Sequence, residues 1–356
     1  MVPEHERWLY DQVQPVCLYY LKLRYSFLQL LYDQMFNNLW TGLPIARALV
    51  ISFPEDASLV GENSEFLDNE YTVGDDLLVA PVLKPKATRT VYLPRPAAWW
   101  QCNLRATGPD DAAALQLKHE FNGGSLVVYD AHLHREGQDL GFITPMFIRF
   151  GGIIPQTEPG LYAEDWKPIS IHIYPGHVGS NRSYAMYIDD GLSASSAPTI
   201  DTIRSNFFPK NTKLPNLSSN LWNEVRDDGA FSSSKAKDQF WKFEIRQSIN
   251  HSKSESTSEW RIERRITVEP KHKNDDGLLT STSGKWCRLI IWGEPKRKEA
   301  FQNATCSPEV TIDDVLSWPT EEGVRFRRYE STQNAWHVWL DLRETTDITF
   351  SYASGV

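Results

Sequence analysis

Basic charge, long apolar runs and patterned cysteines are all scarce in this 356-residue chain, and each shortage closes off a class of function. Lysine and arginine number 37 against 46 aspartates and glutamates, a formal charge of −9. No basic face stands out to track a phosphate backbone, so nucleic acid is not an expected partner. No apolar run approaches the roughly 18 residues of a membrane-spanning helix, so a soluble chain with no membrane partner is expected. The opening MVPEHERWLY has neither the basic start nor the apolar stretch of a secretory leader. The four cysteines, Cys17, Cys102, Cys287 and Cys306, follow no zinc-binding spacing. Cys17 and Cys102 read as buried free thiols, and Cys287 and Cys306 as candidates for pairing across neighbouring strands. A Gly-rich phosphate loop, an H-E-x-x-H helix and a serine nucleophile elbow are also missing. No metal ligands and no cofactor are therefore expected.

What the chain does have is hydrophobic residues at 41% and aromatics at 12%, ample for the cores of two or three domains. Apolar residues recur at helical spacing from Val16 to Leu39, with Leu18, Leu21, Tyr25, Leu28, Tyr32, Met35 and Leu39 in one stripe. Phe27, Leu30, Leu31 and Phe36 widen it, which predicts a helix covered on more than one side. Gly42 is a natural stop and Pro44 prevents resumption. Ile45 to Phe53 then reads as a continuous apolar strand, the pattern of a parallel sheet covered on both faces. Arg47 interrupts it and, as a buried charge, needs a partner; a structural ion pair is expected.

Past Asp68 the pattern changes. Turn formers Asp68 and Asn69 and the permissive Gly74 precede the apolar run Leu77–Val79, which Pro81 limits. Strands are predicted at Leu77–Leu83, Thr88–Leu93, Ser125–Tyr129, Met146–Phe150, Ile169–Tyr174 and Ser183–Ile188, with turns at Asn122-Gly123-Gly124, Gly151-Gly152 and Asp189-Asp190-Gly191. Later strands alternate: Trp241, Phe243 and Ile245; Trp260, Ile262, Ile266 and Val268; Trp336, Val338, Leu340 and Leu342 each line one core face. The Ser/Lys-rich stretches Phe231–Asp238 and Asn250–Ser258 read as loops.

Several segments recur in one order: LKLRYSFLQLLYDQMF (21–36), TGLPIARALVISFPED (41–56), DNEYTVGDDLLVAPVL (68–83), VYLP (91–94), PMFIRFGGIIP (145–155) and YIDDG (187–191). Together they resemble the C-terminal portion of glycoside hydrolase family 31, the α-glucosidase and α-xylosidase family. Ala48, Glu70 and Tyr71 stand where the family pattern has proline, glutamine and phenylalanine. The resemblance implies a mainly β chain with an α/β N-terminal part. Residues 1–75 would be the last helix and strand of a (β/α)8 barrel, followed by two antiparallel β-sandwich domains at 76–155 and 156–356. It also implies a retaining α-glycosidase whose two catalytic aspartates precede this chain, because neither the W-DMNE nor the WTGDN pattern of the family occurs here.

Candidate chemistry within the chain is correspondingly thin. Retaining hydrolysis needs two carboxyl groups about 5 Å apart, drawn from separate strand ends. The acid pairs Asp75-Asp76, Asp110-Asp111, Asp189-Asp190, Asp227-Asp228 and Asp313-Asp314 are sequence neighbours, which point apart on a strand, and read as turns or solvated loops. His5, Glu6 and Trp8 match the family's rim loop only loosely, and Trp8 reads as a core anchor. Trp99 or Trp100 corresponds to a packed core position. No catalytic residue and no substrate-binding residue is assigned. The expected partners are an α-linked oligosaccharide in the complete enzyme and an N-terminal catalytic part, from the same gene or a separate chain. The competing reading is a non-catalytic subunit or carbohydrate-binding β-sandwich protein. Sequons at Asn181, Asn216, Asn250 and Asn303 are compatible with N-glycosylation and the secretory pathway, provided a leader lies outside these residues.

Overall fold

The computed structural model describes residues 14–83, 88–103, 116–130, 144–157, 169–189, 240–253, 260–272, 286–307, 311–312 and 326–353. The helical periodicity is realised as two helices, α1 (Gln14–Ser26) and α2 (Leu28–Thr41). They break at Phe27, whose φ of −89° and ψ of 7° leave the helical region. The stripe expected to be covered instead faces outward: Leu18, Leu21, Tyr25, Leu28 and Met35 are 41–53% exposed, while Leu23, Phe27, Leu30 and Phe36 are buried. Two apolar stripes run along these helices, and periodicity alone cannot say which one meets the sheet. Gly42 ends α2 in the left-handed region, its N–H on Asn38 O at 2.8 Å.

The continuous parallel strand expected at Ile45–Phe53 is corrected. Only Ala46–Ala48 (β1) is extended, Leu49–Ser52 (α3) turns into one helical turn, and β1 pairs antiparallel with Tyr71–Val73 (β2). An apolar run this short fits a buried helical turn as well as a strand. β2 continues antiparallel to Leu77–Val79 (β3). Next come Thr88–Leu93 (β4), Ala98–Asn103 (β5), Gln116–Asn122 (β6), Ser125–Asp130 (β7), Met146–Arg149 (β8) and Ile153–Thr157 (β9). One sheet has the order β1-β2-β3-β8-β5-β6, and β4 pairs with β7 in a separate ribbon.

The remaining strands are Ile169–Ile173 (β10), Asn181–Ile188 (β11), Trp241–Lys253 (β12), Trp260–His272 (β13), Trp286–Trp292 (β14), Thr305–Ser307 (β15), Thr311–Ile312 (β16), Phe326–Glu330 (β17), Ala335–Asp341 (β18) and Thr346–Ala353 (β19), with Lys298–Gln302 (α4) before β15. They form two sheets, β16-β17-β18-β14-β10-β9 and β11-β12-β13-β19-β15. Their facing residues, among them Ile171, Leu289 and Val338 on one sheet and Phe243, Ile266 and Phe350 on the other, share one core. Each such fully buried side chain contributes roughly 1.5–3 kcal/mol. The wholly antiparallel expectation fails at two places, where β10 runs parallel to β14 and β16 to β17. Residue 75 lies in the turn before β3, and residue 155 lies within β9, which pairs with β10.

Three smaller expectations are also corrected. Asn250–Lys253 extends β12 instead of starting a loop, and Trp260, expected on a core face, is 59% exposed near the hairpin end. Cys287 is a free, buried thiol on β14, while Cys306 lies on β15 of the other sheet, so neighbouring strands do not bring them together. Cys102 is free and buried as expected, whereas Cys17, expected buried, is only partly so. Several sites named from the sequence fall outside the described residues: His5, Glu6, Trp8, Asp110-Asp111, Asp190-Gly191, Asn216, Asp227-Asp228, Phe231–Asp238 and Asp313-Asp314. No helix among the described residues is long and apolar enough to cross a membrane.

Candidate functional site at the junction of α2 and β11

The most concentrated polar chemistry among the described residues lies where α2 meets β11, an edge strand of its sheet. An edge strand leaves backbone groups without a ladder partner. Here two side chains one helical turn apart on α2 take their place. Asp33 Oδ1 accepts the Tyr187 N–H at 2.8 Å, and Gln29 Nε2 donates to Tyr187 O at 2.8 Å. Gln29 also donates to Asp33 Oδ1 at 2.8 Å, and the Tyr184 hydroxyl donates to Asp33 Oδ2 at 2.8 Å. The spacing i, i+4 puts both α2 residues on one face, which is what lets them act as a substitute strand.

Burial dominates the electrostatics of this node. Asp33 is 0% exposed, and burial raises its carboxyl well above the usual range, outweighing the hydrogen bonds from Tyr187, Tyr184 and Gln29. Burial, then Asp33, pushes the Tyr187 phenol up to about 12. Phe36 stacks on Tyr187 with ring centroids 4.6 Å apart, and Phe240 completes the apolar lid. The Tyr32 hydroxyl donates to Asp189, so Asp189, expected in a solvated turn, is buried and engaged.

The turn between β2 and β3 is tied in from the other side. Arg47 is buried, pairs with Asp75, donates to Gln34 Oε1 at 2.9 Å and to Pro44 O at 2.9 Å, which is the structural role expected of it. Gly74 has a φ of 61°, which favours glycine, and a Cβ there would lie 2.8 Å from Gln34 Cδ and displace the side chain that Arg47 holds. Both acids lie in the turn expected of them; Asp75 stays exposed, whereas Asp76 is buried and accepts from Arg182 and from the Ile153 N–H at 3.0 Å.

A second buried carboxyl, Glu70, accepts the Tyr92 N–H at 3.1 Å and Arg89 Nη2 at 3.3 Å. Burial outweighs both and raises it to about 8. Asp56 moves the other way: although burial raises it, the hydrogen bonds from Tyr92 Oη at 2.6 Å, Arg95 N at 2.8 Å and Ser58 leave it lowered overall. Trp99 and Trp100 are 0% and 3% exposed, with indole N–H groups donating to Pro94 O and Pro175 O, so both are core residues and neither offers a sugar platform.

These groups hold elements together. Asp33 has both oxygens occupied and no exposed face for an anomeric carbon, and Asp75, Asp76 and Asp189 are each engaged by a structural partner. Among the described residues, no group of three or more His, Cys, Asp or Glu could hold a metal ion. Asp33 and Gln29 escaped the sequence reading because they interrupt an apolar stripe as ordinary polar helix residues would. Their i, i+4 spacing facing a distant strand was the only available signal.

Comparison with known proteins points one way. Residues 42–154 match the model of the glycosyl hydrolase family 31 C-terminal domain. An alpha-xylosidase of Saccharolobus solfataricus is 27% identical over 192 residues, covering 53% of this chain and 22% of that protein. A probable alpha-glucosidase of Oryza sativa subsp. japonica is 39% identical over 90 residues, 25% of this chain and 10% of that protein. The chain thus spans less than a quarter of the length of these curated relatives. A Flavobacterium johnsoniae GH31 dextranase complexed with glucose shares the fold at a TM-score of 0.61 and 20% identity, covering 95% of this chain and 32% of that one. The chain therefore carries, over residues 42–154, the C-terminal domain of glycosyl hydrolase family 31.

Proposed function

We propose that this chain is the supporting C-terminal portion of a retaining α-glycosidase of the α-glucosidase type, whose two catalytic carboxylates lie outside these 356 residues. The substrate would be an α-linked oligosaccharide. One carboxylate would attack the anomeric carbon to form a glycosyl-enzyme while the other protonates the leaving oxygen, and water or a second sugar would then take the glycosyl group. On this reading residues 1–75 close a (β/α)8 barrel, and 76–155 and 156–356 are two β-sandwich domains that brace it. The complete protein passes through the secretory pathway as a glycoprotein and uses no cofactor.

The outward apolar stripe on α1 and α2 carries the proposal. Leu18, Leu21, Tyr25, Leu28 and Met35 are exposed along α1 and α2, the helices that pack against β9, and β1 is an edge strand of its own sheet. A row of this kind is a docking face, and the body of a barrel is the covering that would bury it. Hydrolysis of an aryl α-glucoside tests the reading. The 356-residue chain alone is expected to show no turnover, and the same chain joined to its N-terminal catalytic part to show robust turnover. Turnover by the pure chain would overturn it.

A further inference from the structure

The β11–β12 pairing brings together two sequons that are 69 positions apart in sequence. Asn181 opens β11 opposite Ser248, and Asn250 lies two residues further along β12, making the two asparagines diagonal neighbours. Diagonal cross-strand neighbours sit about 7–8 Å apart. Both asparagines are exposed on the outer face of the five-stranded sheet, opposite the face that carries Phe243, Ile245 and Ile249 into the core. Among the described residues neither side-chain amide makes a hydrogen bond, so each Nδ2 is available. The hydroxyl residues of the two sequons, Ser183 and Ser252, are on the same pair of strands. Asn303 differs: it is exposed, but its Nδ2 donates to Glu299 O at 3.2 Å at the end of α4.

The surroundings suit a solvated, carbohydrate-covered face. Away from the end where α2 packs on Tyr187, its described residues include the ion pairs Arg246 with Glu244, Lys271 with Glu269 and Arg265 with Asp347. The end of β11 that α2 covers is at Tyr187, six residues from Asn181 and so roughly 20 Å along the strand. A glycan at Asn181 would leave that junction untouched.

We propose that Asn181 and Asn250 are a paired N-glycosylation site that cloaks this outer sheet face and keeps it out of protein interfaces. Each Nδ2 attacks C1 of the first sugar of a polyprenyl-diphosphate-linked oligosaccharide. The C1–O bond breaks, the N–C1 bond forms, the polyprenyl diphosphate leaves with the bonding electron pair, and Nδ2 gives up one proton to the transferase. No redox partner is involved. The inference rests on the secretory reading above, but not on the catalytic one.

The test is peptide mapping of the full-length protein from its native source after enzymatic deglycosylation in heavy-oxygen water, which converts each glycosylated asparagine to labelled aspartate. Labelling at Asn181 and Asn250, and a loss of mobility shift in two steps for Asn181→Gln and Asn250→Gln, is expected. Labelling at other sequons with Asn181 and Asn250 unlabelled would overturn the paired site while leaving the secretory reading intact. No labelled sequon anywhere would overturn both. Ser183→Ala and Ser252→Ala keep the asparagines and are expected to abolish the same two shifts, so a folding defect in one variant does not decide the outcome.

Discussion

Glu70 is the residue whose chemistry runs most against its sequence. It stands where the family pattern has glutamine, and the structure shows why the exchange is tolerated: one side-chain oxygen accepts the Tyr92 N–H, and burial holds the carboxyl at about 8, so that it is largely neutral below that pH. A folded-state value raised above the usual 4.5 means that the native state keeps a proton the unfolded chain gives up. Its contribution is full below about pH 4.5 and is lost as the pH rises to about 8, on the order of 5 kcal/mol across the window. Glu70→Gln should flatten this slope and be more stable than the parent at pH 9, read from urea midpoints at pH 5 and 9; an unchanged slope would show the carboxyl to be ionised in the fold. Asp33 makes a sharper demand. Asp33→Ala removes the shared acceptor of Tyr187, Tyr184 and Gln29 and should cost about 2–4 kcal/mol, whereas Asp33→Asn keeps an oxygen and should cost clearly less. Equal losses for the two variants in urea titrations would mean that the node is not an acceptor site.

At the scale of elements, what the sequence made legible followed from periodicity. β4, β8, β10 and β11 start or end within two residues of the predicted strands, and Asn122-Gly123-Gly124 is the turn between β6 and β7. Partner choice was not legible. The antiparallel pairing of β1 and the parallel pairing of β10 with β14 depend on strands up to a hundred or more residues away, which no local pattern encodes. The orientation of α1 and α2 was hidden for a related reason, since both of their stripes are apolar and only tertiary packing selects one. The exposed stripe can be tested directly. Leu18→Lys, Leu21→Lys and Leu28→Lys together should leave the fold within about 0.5 kcal/mol per site, reduce self-association of the isolated chain in sedimentation and, on the proposed reading, weaken its union with the proposed catalytic part at least tenfold. Full activity of the triple variant in the complete protein would remove the docking role. Thiol accessibility gives an independent check on the strands: Cys102 and Cys287, both 0% exposed and held above their ordinary values chiefly by burial, should resist thiol reagents until urea unfolds the chain.

For the whole molecule, two faces of opposite character organise the reading. The α1–α2 face is apolar and exposed, and the outer face of the five-stranded sheet is ion-paired and carries two sequons. The first fits a partner and the second fits solvent. Between them, α2 is locked to β11 through Asp33 and Gln29 and to the β2–β3 turn through Gln34 and Arg47, so load on the helix passes into both sets of sheets. On the proposed glycosidase reading, breaking that lock should therefore weaken the complete protein's thermal stability before it affects turnover at low temperature. For Asp33→Ala in the complete protein, a fall in Tm with kcat retained at 25 °C is the expected pattern, and an unchanged Tm with lost kcat would place the node in the chemistry instead.

The order of short motifs, the change from helical to strand period after residue 68 and the need for a partner at Arg47 were all determined by the sequence alone, because each depends on local residue type and spacing. The strand partners, the outward turn of the α1–α2 stripe, the burial of Asp33, Asp76 and Glu70 and the meeting of Asn181 with Asn250 were decided only by the tertiary structure. Each of these depends on what lies across a contact from residues distant in the chain, and it is there that burial and hydrogen bonding set the energy of a charge, an amide or an apolar face.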